Sequence, residues 1–183
     1  MKKLPVKFRN DSIRGWCVYE IYNQMLKNRN IWVITGDLGY HVLDLIRRDF
    51  PDRFINVGAA EQSMMGLAVG LALQNKIPFV YSITPFLLYR PFETIRNYLH
   101  HEKIPVKLIG VARNKDYEEE GISHWAEEDK QVMSIFTNIE SRWPETKEEV
   151  SQLIKEMVKN KKPYYINLQR EKGDTVKSNK KVK

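Results

Sequence analysis

Cysteine is almost absent from this chain of 183 residues, which has a single thiol at Cys17. One cysteine excludes an internal disulfide and fits a reducing compartment. Cys17 falls within a helical pattern, where a small core residue is the simpler interpretation and a catalytic thiol is the alternative. The four histidines show no metal-ligand spacing with acids or with Cys17, so we expect this chain alone to hold no metal.

Long apolar runs are also lacking. The most apolar stretch, residues 64–73, is about half as long as a membrane-spanning helix. Residues 1–9 contain no apolar run of the kind found in signal peptides. These two absences predict a soluble, cytoplasmic protein with no membrane partner.

The net charge of +7 is confined to the two ends of the chain. Residues 1–9 carry four basic side chains and no acid, and residues 171–183 carry five lysines and two acids. Residues 10–170 are neutral, whereas a nucleic-acid-binding domain usually concentrates basic residues on its folded surface. We therefore expect no nucleic-acid partner, one folded domain over residues 1–170, and a basic, disordered tail over residues 171–183.

Short apolar segments alternate with helical patterns along the chain. We predict strands at 31–35, 54–57, 78–83, 105–111, 135–142 and 163–168. We predict helices at 12–28 (capped by Asp11 or Ser12), 41–49, 62–73, 87–101, 125–134 and 145–160. This alternation predicts an α/β fold in three layers, with a parallel sheet and helices on both faces.

Ligands of such sheets bind beyond the carboxyl ends of the strands. This rule places five segments together at the edge of the sheet where the strands end, which we call the rim: residues 36–41, 58–61, 82–90, 111–124 and 169–170. Neither a glycine-rich nucleotide loop nor the nucleophile elbow of a serine hydrolase is present. The clustering of these segments is the strongest physical indication of a site.

One acid, Glu61, stands at the start of an otherwise uncharged helix. Small residues at positions 66, 68, 70 and 72 permit close packing around this helix. A carboxyl group that is largely shielded from water is more readily protonated, which suits proton-relay chemistry. The alternative is that Glu61 only complements the positive end of the helix dipole.

Three further candidates on this rim each have a plainer interpretation. Phe86 could be a platform for a ligand or an aromatic of the core. Arg90, Glu93 and Arg96 lie at helical spacing and could form a simple ladder of ion pairs. His124 follows a glycine in a loop and could be a solvated side chain or a catalytic one.

Taken in order, these segments resemble the pyrimidine-binding domain of the transketolases and related thiamine-diphosphate enzymes. The most specific stretch is Val-Gly-Ala-Ala-Glu-Gln at residues 57–62. The resemblance covers nearly all of residues 12–170, through matching segments at 36–39, 53–62, 65–72, 78–90, 105–111, 121–124 and 166–170. It implies the same pyrimidine-domain type of α/β fold.

The resemblance implies a role for each matching rim residue. Glu61 corresponds to the family's catalytic glutamate, which shares a proton with the aminopyrimidine half of thiamine diphosphate. His124 corresponds to a histidine near the reacting centre that contacts substrate hydroxyls. Phe86 corresponds to the aromatic that stacks on the pyrimidine, and Asp37 to a rim aspartate near the cofactor, although a turn-capping role for Asp37 is equally open. We place Arg90 with these cofactor-binding residues.

The resemblance also suggests residues that bind substrate. Arg170 and Arg14 correspond to arginines that hold a sugar phosphate, for which a planar guanidinium is suited. His41, which we also expect to contact substrate, stands where many transketolases have serine. The loop at residues 113–120 lacks the His-Asp pair that many transketolases use for ketose hydroxyls.

Two parts of the family's architecture have no counterpart in this sequence: the diphosphate-binding domain with its Gly-Asp-Gly motif, and the third, carboxy-terminal domain. The resemblance therefore implies one subunit of a split transketolase-like enzyme, which transfers a ketol unit between sugar phosphates only with a separate diphosphate-binding subunit. We expect that partner to supply Mg²⁺ or Ca²⁺, and this chain to form a homodimer within a heterotetramer. Helix 62–73 would pack at the interface with the partner.

Three alternatives to ketol transfer remain open. The chain could be a partner subunit similar to 1-deoxyxylulose-phosphate synthase, or one that decarboxylates a 2-oxo acid. It could also be a non-catalytic assembly module that kept the fold without the activity, because a fold does not imply a function.

Overall fold

The computed structural model describes residues 12–170. Within them, six strands form one sheet in the order β2-β1-β3-β4-β6-β5. Every neighbouring pair is parallel. The strands are β1 (Ile31–Thr35), β2 (Phe54–Asn56), β3 (Ile77–Ile83), β4 (Lys107–Val111), β5 (Glu140–Arg142) and β6 (Tyr164–Leu168). The predicted tail at residues 171–183 and the possible cap Asp11 lie outside the described residues.

Helices cover both faces of this sheet. They are α1 (Ile13–Lys27), α2 (Asp44–Asp49), α3 (Glu61–Leu73), α4 (Thr84–Tyr89), α5 (Phe92–Thr94), α6 (Asp129–Ser134) and α7 (Lys147–Lys159). A π-helical segment, Ile95–His101, follows α5 directly. Among residues 12–170, no helix combines the length and the apolar character needed to cross a membrane. The predicted three-layer α/β fold with a parallel sheet is confirmed.

Two apolar clusters, one on each face of the sheet, form the core. In β3, Phe79 and Tyr81 belong to the cluster with α1 and α7, whereas Val80 belongs to the cluster with α3 and α4. This alternation follows from the two-residue period of a strand. Cys17 is fully buried in the first cluster, and burial raises the pKa of its thiol far above its ordinary value. The interpretation of Cys17 as a core residue is therefore confirmed.

Local sequence signals explain the starts of the two helices that pack together on the first face. The Ser12 hydroxyl accepts a hydrogen bond from the Gly15 backbone N–H, so Ser12 is the N-cap of α1. Helix α7 begins with a capping box, in which Thr146 and Glu149 satisfy each other's backbone N–H groups.

Several predicted element boundaries are wrong. The predicted helix at 87–101 is interrupted after Tyr89, because Pro91 has no N–H to donate and its ring prevents a continuous helix. The predicted helices at 41–49 and 125–134 begin later, at Asp44 and Asp129. The predicted strand at 135–142 is reduced to Glu140–Arg142, at the edge of the sheet.

Lys107 opens β4 at the end of the sheet opposite to the predicted site, and it is only 1% exposed. Its ammonium group donates hydrogen bonds to the backbone carbonyl oxygens of Asn160, at 2.9 Å, and of Lys162. Burial lowers the pKa of Lys107 to about 7, because desolvation disfavours the charged form. The two hydrogen bonds of Lys107 therefore hold the chain at the end of α7 against the sheet. Burial of the charged ammonium group costs free energy of folding.

This cost predicts a specific pH dependence of stability. The pKa of Lys107 in the folded chain lies below its ordinary value of 10.5, so the unfolded chain binds more protons between these two values. The free energy of unfolding should therefore rise with pH from about pH 7 towards pH 10. We expect urea denaturation to show a rise of roughly 1–3 kcal/mol between pH 7 and pH 9, relative to the Lys107→Met variant.

The exposed Lys155 on α7 provides a matched control. Lys155→Met should keep the pH dependence of the unsubstituted chain. The same pH dependence in Lys107→Met and in the unsubstituted chain would show that Lys107 carries no electrostatic cost.

Candidate functional site

The predicted rim exists as one edge of the sheet. The register aligns Thr35 with Tyr81, Ile83 with Val111, and Val111 with Leu168, so β1, β3, β4 and β6 end side by side. The five predicted segments follow these ends and that of β2. The parallel arrangement thus brings residues that are distant in sequence to one edge.

Glu61 is the first residue of α3, and it is only 3% exposed. Gly36, directly after β1, allows this close packing. A Cβ atom at Gly36 would lie 3.1 Å from the Gly58 carbonyl oxygen and 3.6 Å from Oε1 of Glu61. The expected shielding of this carboxyl group from water is confirmed.

Arg90 contacts both Glu61 and Phe86. Its Nη1 donates a hydrogen bond to Oε1 of Glu61 at 2.7 Å, and its Cζ lies 3.8 Å from the centroid of the Phe86 ring. Arg96 instead donates to Asn97. The ladder interpretation is therefore wrong for Arg90, because the chain turns at Pro91 and directs the guanidinium towards α3.

Phe86, which contacts Arg90 on one side, also contacts His124. Phe86 is half-buried, and the centroid of its ring lies 4.9 Å from that of His124 in an edge-on arrangement. The His124 ring also lies 5.7 Å from that of Tyr117, and its Nδ1 is 3.0 Å from the Ser123 hydroxyl oxygen. His124 is therefore held between two aromatic rings and is not a solvated loop histidine.

Arg170 completes a series of contacts that begins at Glu61 and passes through Arg90, Phe86, His124 and Tyr117. Its guanidinium Cζ lies 4.3 Å from the Tyr117 ring centroid, and its Nη1 donates to the Asp116 backbone carbonyl oxygen at 3.1 Å. The Asp116 carboxylate accepts from the backbone N–H groups of Arg170 and Arg113, each at 2.8 Å. The loop after β4 is thereby fixed to the end of β6.

A cavity of about 310 Å³ opens beside these residues. Tyr117 lines it and also contacts His124 and Arg170, so the cavity adjoins the series of contacts that starts at Glu61. The predicted substrate-binding residues Arg14 and His41 both line it. The remaining lining residues are Ser12, Leu38, Gly39, Tyr40, Val42, Tyr81, Ile83 and Val111.

Asp37 makes the contacts of a turn residue. Its carboxylate accepts a hydrogen bond from the Tyr40 hydroxyl at 2.8 Å, and its backbone N–H donates to the Asn56 side chain at 2.8 Å. Its φ of +54° is in the left-handed region, which aspartate tolerates better than most residues. These contacts support the turn-capping interpretation, which the sequence left open beside a cofactor-binding role.

Asp129 is a buried acid that the sequence did not mark as important. It is 5% exposed, and its Oδ2 accepts hydrogen bonds from Trp143, Tyr165 and Asn167 at 2.6, 2.9 and 2.6 Å. Burial and the nearby Asp129 carboxylate raise the pKa of Tyr165 well above its ordinary value. Because Asp129 begins α6, these bonds anchor the carboxyl end of the loop that carries His124.

We expect Asp129→Ala to destabilise the chain strongly. The substitution leaves the buried donors of Tyr165 and Asn167 and the partly buried Trp143 N–H without their acceptor, and each such group costs about 1–3 kcal/mol. Urea denaturation should show a loss of about 3 kcal/mol or more. Asp44→Ala removes an accessible carboxylate that pairs with Arg47, and it should cost less than about 1 kcal/mol. Similar losses in both variants would argue against the anchoring role.

Comparison with known proteins identifies the family. Residues 18–174 match the family described as "Transketolase, pyrimidine binding domain". A "Putative transketolase C-terminal section" from Methanocaldococcus jannaschii is 32% identical over 154 residues, which are 84% of this chain and 49% of that protein. An apulose-4-phosphate transketolase subunit from Actinobacillus succinogenes is 36% identical over 121 residues, which are 66% of this chain and 39% of that protein.

The fold agrees with a solved structure of the same family. A structure described as "Split gene transketolase, inactive beta4 tetramer" matches with a TM-score of 0.76 and 30% identity, over 87% of this chain and 51% of that chain. This chain thus spans about half of that protein and less than half of the two relatives above. It belongs to the family of transketolase pyrimidine-binding domains.

Proposed function

We propose that this chain supplies the pyrimidine-binding half of the active site of a split, thiamine-diphosphate-dependent, transketolase-like enzyme. The observation that carries this proposal is the buried carboxyl group of Glu61, which is joined to the Phe86 ring through Arg90, with His124 at the same ring. The reaction we propose is the transfer of a ketol unit between sugar phosphates.

The residues at the rim fit an aminopyrimidine in both shape and polarity. A flat heteroaromatic ring stacks well on an aromatic side chain, and Phe86 presents its ring at the rim. A ring nitrogen that exchanges a proton needs a carboxyl group shielded from water, and Glu61 is such a group. Thiamine diphosphate, when bound, supplies an electron sink for chemistry at a carbonyl carbon.

Each side chain then has a separate task. Glu61 holds and returns a proton at the pyrimidine nitrogen, and its burial keeps water from competing for that proton. Phe86 orients the ring. His124, fixed between Phe86 and Tyr117, offers its imidazole to substrate hydroxyls.

The cavity beside Tyr117 suits the anionic end of a phosphorylated sugar. Arg14 lines this cavity and Arg170 stacks on Tyr117 at its side, and guanidinium groups bind phosphate oxygens through paired hydrogen bonds. His41 lies at the cavity with 57% of its side chain exposed, where an incoming substrate would meet it. A volume of about 310 Å³ is within the range of small-molecule sites.

The outward face of α3 is the surface that we propose for the diphosphate-binding partner. Added Cβ atoms at Gly66 and Gly70 would meet nothing within 4 Å, and Leu67 and Leu73 are 37% and 63% exposed. Small residues beside exposed leucines allow a partner to approach closely and to bury apolar surface.

The names of similar proteins support an enzyme made of two chains. One of them is named as a subunit of a transketolase, and another as a split-gene transketolase. We propose that the partner of this chain holds the diphosphate with Mg²⁺ or Ca²⁺, and that two copies of each chain assemble.

A second candidate function is favoured by the loop after β4. Tyr117 lies at the cavity within this loop, which lacks the His-Asp pair used for ketose hydroxyls, so a smaller 2-oxo acid could replace the ketose donor. Release of carbon dioxide from pyruvate by the assembled enzyme, without ketol transfer, would favour this candidate. No turnover with either donor class would favour a non-catalytic assembly module.

We expect Glu61→Gln to abolish the activity of the assembled enzyme and to leave its folding intact. Glutamine keeps the shape of the side chain and cannot exchange a proton, so the steady-state rate should fall at least about 100-fold. Glu93→Gln, at an exposed position three residues after Arg90 in sequence, should keep the original rate. A near-normal rate for Glu61→Gln would show that the proton-relay assignment is wrong.

A further inference from the structure

Arg90 touches both groups that define the proposed pyrimidine site. Its guanidinium lies over the Phe86 ring, with Cζ 3.8 Å from the ring centroid. The same guanidinium donates a hydrogen bond of 2.7 Å to Oε1 of Glu61. Arg90 thus connects the Glu61 carboxyl group to the Phe86 ring.

The guanidinium of Arg90 has the same recognition features as a protonated aminopyrimidine. Both groups are flat, both carry N–H donors at their edge, and both can stack on an aromatic ring while donating to a carboxylate. Two flat groups in contact are separated by about 3.5–4 Å, so the space over this face of Phe86 is already filled at the observed distance. The His124 ring meets Phe86 edge-on as well, which leaves less of that ring accessible.

We propose that Arg90 occupies the pyrimidine site of the free chain and has to leave Phe86 and Glu61 before thiamine diphosphate binds. This inference rests on the proposed function. Only the molecules in which Arg90 has left the site can bind the cofactor. The apparent affinity is therefore the intrinsic affinity multiplied by the fraction of such molecules. Arg90 also keeps the buried Glu61 carboxylate paired until the cofactor takes over, which avoids an isolated charge.

The position of Arg90 allows this movement. The residue lies between Tyr89, which ends α4, and Pro91, and 46% of its side chain is exposed. The guanidinium can therefore rotate into solvent without displacing a core residue. Glu61, which is held by the packing of α3, stays in place and exchanges one cationic donor for another.

The test measures how tightly the full chain binds the free aminopyrimidine 4-amino-5-hydroxymethyl-2-methylpyrimidine. The ligand is added to millimolar concentration, and binding is monitored by NMR chemical shifts. We expect Arg90→Ala to bind it at least about fivefold tighter than the unsubstituted chain, since the competing group is gone. Arg90→Gln keeps a donor for Glu61 and should also bind tighter, which provides a second variant if Arg90→Ala folds poorly. Arg96→Met, at an exposed arginine nearby, should bind like the unsubstituted chain.

The other outcomes separate this inference from the proposed function. Equal or weaker binding by both Arg90 variants, with measurable binding by the unsubstituted chain, would overturn the inference and make Arg90 a part of the bound site. Tighter binding that survives Phe86→Ala or Glu61→Gln would place the ligand elsewhere and also overturn it. No binding by any variant would contradict the proposed pyrimidine site itself, and the inference with it.

Discussion

The contact between Glu61 and Arg90 is the interaction on which the site depends. A carboxyl group only 3% exposed must be neutral, paired or bound to a ligand, because an isolated buried charge is very unfavourable. The chain brings Glu61 to this position by packing α3 against Gly36 at the end of β1, and Arg90 compensates its charge from the far end of α4. This arrangement shields a titratable acid from bulk water and still leaves it reachable from the rim through an exposed, rotatable partner.

The rest of the rim is held by a loop that is fixed at both ends. Near β4, Arg113 donates to the carbonyl oxygens of Asn167 and Pro144, and Asp116 binds two backbone N–H groups. At α6, Asp129 accepts three hydrogen bonds. Two non-glycine residues at the start of this loop, Ala112 and Asn114, have φ of +74° and +43°, a conformation that costs free energy and persists only where the surroundings enforce it. His124 therefore lies on a loop, yet the loop is ordered by buried polar contacts.

Much of this architecture can be predicted from the sequence, because it depends on local patterns. The apolar segments and the helical spacing give the six parallel strands, and the rule about strand ends brings Glu61, Phe86 and His124 to one rim. The burial of Glu61 follows from the uncharged helix that it begins. A prediction based on spacing alone misses the break at Pro91, because the helical spacing of apolar residues continues through residues 87–101. The break arises because proline cannot continue the helix.

Other features depend on the three-dimensional path of the chain and cannot be read from spacing. The direction of Arg90 towards Glu61 follows from the break at Pro91, whereas spacing alone favours a ladder with its neighbours on the same helix. Asp129 anchors its loop through a hydrogen bond from Tyr165, which is 36 residues away in sequence. Tyr117 belongs to the site because it contacts Arg170, which follows β6.

The most direct test is a crystal structure of this chain assembled with a diphosphate-binding chain and thiamine diphosphate. We expect the pyrimidine ring to lie over Phe86, with a ring nitrogen within hydrogen-bond distance of Glu61. A bound cofactor whose pyrimidine lies elsewhere, with Glu61 still paired to Arg90, would contradict the proposed role of this site.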